Sequence, residues 1–105
     1  MNVVDSSGWL EYFADGPNAD FFAAAIEEID QLLVSAINLY EVAKRIEQRY
    51  QPSEVTRFLN AMRRGIVIPV DESLALYAAQ LSVRYKLPMA DAILLATAEI
   101  HGATF

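Results

Sequence analysis

Hydrophobic and polar positions along the chain follow two rhythms: short runs of consecutive apolar residues bounded by turn formers, and longer stretches with an apolar residue every three or four positions. The first marks buried strands and the second amphipathic helices. "NVVDSS" at the start is an apolar run ending in polar turn residues, and it predicts a strand. Ser6 or Ser7 can cap a helix over "GWLEYFAD", which the Gly16-Pro17 pair breaks. Pro17 suits the first turn of a second helix, where Phe22, Ala25, Ile26 and Ile29 fall on one stripe at i, i+3, i+4 and i+7. "QLLVSA" over 31–36 predicts a second strand. A helix from about Asn38 to Tyr50 follows, with Leu39, Val42, Ala43 and Ile46 facing inward.

Pro52 and Ser53 open the next helix, whose stripe is Val55, Phe58, Leu59 and Met62 and whose stop is Gly65. "IVIPV" over 66–70 is a third strand. Its Pro69 cannot donate to a ladder, which predicts a sheet edge or a strand end. Asp71 begins a helix with Leu74, Tyr77, Ala78, Leu81 and Tyr85 in register, and "KLP" breaks it. "LPMADAILLATAEIHG" is a last helix, apolar nearly all round and ended by Gly102, after which "ATF" starts a fourth strand. Strands alternating with helices through short connections imply an α/β sandwich with a mostly parallel sheet.

Length and composition narrow this. With 105 residues and 54% hydrophobic content, the expectation is one domain spanning 1–105. No apolar run approaches the roughly 18 residues of a membrane span, and "MNVVDSS" lacks the features of a signal peptide, so a soluble, cytoplasmic protein is expected. Zero cysteines exclude disulfides and thiolate metal sites, leaving oxygen donors or His101 for any metal. The net charge of −6 argues against a surface that coats nucleic acid. Residues 44–64 are the exception, with six of the eight basic residues (Lys44, Arg45, Arg49, Arg57, Arg63 and Arg64) against two acids. That window can meet phosphates, or it can be solvated helix faces.

In an open parallel sheet, ligands bind beyond the carboxyl ends of the strands. Three acids fall there. Asp5 follows the first strand, Glu41 sits in the first turn of the helix after the second, and Asp91 sits in the first turn of the last helix. Each has a structural alternative. Asp5 is good turn or cap chemistry; Glu41, three residues after Asn38 and four before Arg45, can complete a capping box or pair with the arginine; Asp91 can complement a helix dipole. Asp91, however, shares a face with Leu94, Leu95 and Ala98 that is expected to be buried, where a carboxylate without a counter-charge costs several kcal/mol. Taken together, three carboxylates from separate segments suit a hard divalent cation and phosphate ester chemistry. No Gly-rich phosphate loop or nucleophile motif competes, Trp9, Phe13, Phe21 and Phe22 are expected in core or interface, and His101 belongs to a helix end.

"VVDSSGWLEYF", "VSAINLYEVAKRI" and "KLPMADAILLATAEIHGATF" resemble PIN-domain ribonucleases, in particular the VapC toxins of prokaryotic toxin–antitoxin pairs. The resemblance implies a three-layer α/β/α sandwich and an Mg2+- or Mn2+-dependent endoribonuclease that cuts structured RNA such as tRNA. Asp5, Glu41 and Asp91 match the family's first three metal-binding acids. Ser6, Lys44, Arg45 and Arg49 are candidate contacts to the RNA. It also implies a VapB-like antitoxin partner and a homodimer. After "HGAT" the family continues through a strand into a loop with further Asp residues and a last short strand. On that pattern the sequence is expected to be C-terminally incomplete, and the competing reading is a non-catalytic PIN domain that binds an antitoxin or dimerises.

Overall fold

A computed structural model describes all residues, 1–105. The strands are β1 (Asn2–Val3), β2 (Leu32–Ser35) and β3 (Ile66–Ile68), all parallel and ordered β1-β2-β3. The helices are α1 (Ser6–Phe13), α2 (Ala19–Glu27), α3 (Ala36–Arg49), α4 (Pro52–Met62), α5 (Glu72–Tyr85) and α6 (Met89–Ile100). The expected fourth strand is a single parallel bridge of Thr104 to Asn2, on the far side of β1 from β2. It is held by Val3 N–H donating to the Thr104 carbonyl at 2.7 Å and Thr104 N–H donating to the Met1 carbonyl at 2.8 Å.

The central strand explains the layers. All four residues of β2 are buried, as expected of a parallel strand covered on both faces. Because side chains alternate along a strand, Leu32 and Val34 join Trp9, Ile26, Val42, Ile46, Phe58 and Met62 in a core formed with α1 to α4. Leu33 points the other way and packs with Val3, Leu94 and Ala98 beneath α6. Helix α5 closes over α6 through Leu74, Ala78 and Leu81 against Ala92, Ile93 and Ala96. The result is the anticipated α/β/α sandwich. β3 lies at the edge and is followed at once by Pro69, as the missing donor requires.

Several boundaries move. Helix α2 begins at Ala19, so Pro17 lies in the preceding turn rather than in the helix, and Ile29 falls into a 3-10 turn with its side chain exposed. Helix α3 begins two residues earlier than Asn38. Its cap is Ser35, whose hydroxyl accepts from Ile37 N–H while the Asn38 side chain accepts from Ser35 N–H. The capping box expected of Asn38 and Glu41 is therefore built one turn earlier by Ser35 and Asn38, which releases Glu41. In α1 the cap is Asp5, not Ser6 or Ser7; its Oδ1 accepts from Gly8 N–H at 2.8 Å and from the Ser7 hydroxyl at 3.0 Å. Gly8 lets the layers close here, because a Cβ would come within 2.7 Å of Val4 Cγ1 and 2.8 Å of Phe22 Cε1.

Candidate functional site

With every strand parallel, the helices that follow β1, β2 and β3 all begin at the same edge of the sheet. Helix α6, which leads into the Thr104 bridge beside β1, begins there too. Asp5, Glu41 and Asp91 accordingly lie on one edge. Two of them are linked. The Ser6 hydroxyl on α1 donates to Glu41 Oε1 on α3 at 2.6 Å, and the buried Asn38 amide donates to Ser6 Oγ at 3.1 Å. A chain of hydrogen bonds thus runs from Asn38 through Ser6 to Glu41, with Asp5 adjacent to Ser6. Glu41 takes this contact from Ser6 rather than from Arg45.

The network fixes carboxylates without consuming them. Asp5 uses Oδ1 for the helix cap and Glu41 uses Oε1 for Ser6, so Oδ2 and Oε2 are left out of these contacts. Both residues are half-buried, an environment in which a fixed charge acts through less water than at an open surface.

Asp91 stands differently. The helix face it shares does bury Leu94 and Ala98, but Asp91 itself is exposed. Leu94 and Ala98 pack on Val3 and Leu33, and Ala92 packs on α5, whereas Met89 and Asp91 at the start of α6 remain exposed, and the expectation of a buried carboxylate is corrected on that ground. No three Asp, Glu, His or Cys side chains stand close enough to hold one ion. The donor chemistry suits a hard divalent cation: carboxylate oxygens with a hydroxyl between them, and neither thiolate nor imidazole. What the structure brings together is Asp5, Ser6 and Glu41. Asp91 lies on the same edge, outside this hydrogen-bonded network.

Beside the linked pair is a hollow of about 430 Å³, walled by Ser6 and Ser7 of α1 and by Tyr40, Glu41, Lys44 and Arg45 of α3. Arg49, in the last turn of α3, lies outside it. The basic window is split as well. Arg63 and Arg64 immediately precede Gly65 and β3, which puts them at the opposite edge of the sheet. Arg64 is felt there by Tyr12 near the far end of α1. The Tyr12 phenol is pushed up from its usual value by burial and by its hydrogen bond to Glu27, with Arg64 opposing.

Asn38 is the site residue that the periodicity does not reveal. It reads as a helix start, whereas Ser35-x-x-Asn38 is itself a capping-box spacing. Moving the helix start back accordingly puts Asn38 and Glu41 at i and i+3 on one face, where both reach Ser6. Trp9 and Phe13 are core as expected, Phe13 stacking on Phe58 at 4.4 Å, whereas Phe21 is exposed. His101 caps the end of α6. No helix is long and apolar enough to cross a membrane.

Comparison with known proteins adds to this geometry. Among solved structures, the fold is similar to a toxin–antitoxin complex from Klebsiella pneumoniae, with a TM-score of 0.82 and 24% identity over 98% of this chain and 82% of that one. It is also similar to VapC20 of Mycobacterium tuberculosis, a toxin that cleaves the sarcin–ricin loop, with a TM-score of 0.79 and 19% identity over 98% of this chain and 85% of that one. No curated protein matches the sequence. The model of the PIN domain family matches residues 3–105, and with that span covered by a parallel sheet between two helical layers, the chain belongs to the PIN domain family.

Proposed function

We propose that this chain is the toxin of a VapBC-type pair, a cytoplasmic endoribonuclease that uses Mg2+ or Mn2+ to cut structured RNA such as tRNA. The observation that carries this reading is the Ser6 hydroxyl, which ties Glu41 to the helix capped by Asp5 at the carboxyl edge of a PIN-family sheet. Asp5 and Glu41 offer their free oxygens to the cation, and Asp91, on an exposed first turn, supplies the third carboxylate from the same edge. When bound, a hard divalent ion lowers the pKa of a water and neutralises charge on a phosphoryl group. Ser6 and Asn38 hold Glu41 in one orientation, and Lys44 and Arg45 draw the flanking phosphates to that edge. A VapB-like antitoxin and a second copy of the chain are the partners this reading carries with it. The likeness to the toxin–antitoxin complex and to VapC20 supports both the toxin assignment and the RNA substrate.

That no three acids stand close enough to hold one ion favours one alternative, a non-catalytic PIN domain that engages an antitoxin or a second copy. Purified protein incubated with tRNA and with a sarcin–ricin hairpin decides between them. Discrete cleavage in Mg2+, abolished by EDTA and restored by Mn2+, is expected. Intact RNA at every metal concentration would establish the non-catalytic reading.

A further inference from the structure

We infer that the hollow beside Glu41 receives one unpaired nucleotide, with the Tyr40 ring as the stacking surface for its base and Lys44 and Arg45 as the grip on its phosphates. The inference rests on the ribonuclease reading and names the RNA feature that this site takes. Tyr40 is an aromatic side chain of the hollow that the fold does not use, since it remains 60% exposed on a helix that buries Asn38, Val42 and Ile46 on its other face. One turn along the helix, Lys44 Nζ stands 6.0 Å from the centre of its ring. An exposed aromatic flanked by cations is the arrangement by which proteins hold single-stranded nucleic acid, the ring meeting the base and the cations the backbone. The hollow's volume of about 430 Å³ falls among ordinary small-ligand sites, and Ser6 and Glu41 form its inner wall, so a nucleotide there lies against the linked carboxylate.

Charge makes the location specific. On a chain of net charge −6, Lys44 and Arg45 are the basic residues of this hollow, and Arg63 and Arg64 lie at the other edge of the sheet. Two adjacent cations therefore stand beside Tyr40 and the linked carboxylate. A base inside a duplex has both faces covered by its neighbours and cannot present one to the ring, so the site selects loops, bulges and splayed nucleotides over paired ones.

The test is a binding measurement in EDTA, where cleavage does not intervene: fluorescence anisotropy of a labelled single-stranded RNA octamer, and of the same octamer annealed to its complement. The native chain should prefer the single strand. Tyr40→Ala should weaken single-strand binding about tenfold and leave the duplex unchanged, and Tyr40→Phe, which keeps the ring, should bind as the native chain does. Circular dichroism of both variants should match the native chain, because the ring is exposed. Equal loss on both RNAs, equal loss for Phe and Ala, no loss for Ala, or no native preference for the single strand would each overturn the subsite. Normal RNA binding by Tyr40→Ala in a chain that cleaves tRNA removes the subsite and keeps the ribonuclease reading. Tyr40-dependent binding by a chain that cleaves nothing does the reverse.

Discussion

Glu41→Gln is expected to reduce Mg2+-dependent RNA cleavage by more than about a hundredfold, because removing even the outer partners of metal ligands costs 10- to 100-fold and Glu41 is a proposed ligand itself. The substitution keeps the shape of the side chain and an oxygen that can still accept from Ser6, so the link between α1 and α3 survives while the charge is lost. Ser6→Ala does the opposite. It keeps the carboxylate but removes the hydroxyl that orients it and leaves the buried Asn38 amide without its acceptor, and a loss of about 10- to 100-fold is expected. Single-turnover cleavage of tRNA, with urea unfolding as the control for folding, measures both. Glu41→Gln cleaving at the native rate would remove Glu41 from the site, and Ser6→Ala losing more than Glu41→Gln would reverse the assigned roles.

Trp9→Ala should cost about 3–5 kcal/mol, a large part of the 5–15 kcal/mol that holds a domain of this size together. Trp9 is fully buried and touches the first core on several sides, its ring 5.6 Å from Phe13 and packed among residues of α2, β2, α3 and α4. Removing it empties the space that four helices and the central strand share. One detail sharpens the expectation. The indole Nε1 is buried without a hydrogen-bond partner, a defect worth about 1–3 kcal/mol that a phenyl ring does not carry. Trp9→Phe should therefore recover well over half of the loss. Thermal and urea unfolding of the two variants check this, and a Phe variant as unstable as the Ala variant would mean that the indole nitrogen is satisfied after all.

Much of this architecture is legible in the sequence because burial imposes its periods directly. Leu32, Leu33 and Val34 form a continuous apolar run since β2 is covered on both faces, and Pro69 marks the end of an edge strand since it cannot donate. The common edge of Asp5 and Glu41 follows from strand-helix alternation alone, and that of Asp91 from the parallel pairing of the segment after α6. Polar contacts over long sequence separations are not legible in this way. Ser6 and Glu41 are 35 residues apart, and nothing in either local pattern predicts their hydrogen bond. The cap at Asp5 is one of the roles its position offers in the sequence, whereas the cap at Ser35 is obscured by Asn38, a neighbour of equally good cap chemistry. The exposure of Asp91 escapes periodicity for a third reason: a helix face is buried only where another element lies against it, and sequence spacing does not carry where along the helix that contact begins.

Asp91 is the sharpest test of the site, since it is exposed and outside the network around Ser6 yet is proposed to share the ion of Asp5 and Glu41. Calorimetric titration of Mn2+ into the native chain and into Asp91→Asn tests this without reference to catalysis. The account predicts saturable binding by the native chain and an affinity at least about tenfold lower in the variant, by the scale on which metal-site partners act. Equal affinity in the two chains, or no binding by the native one, would contradict it.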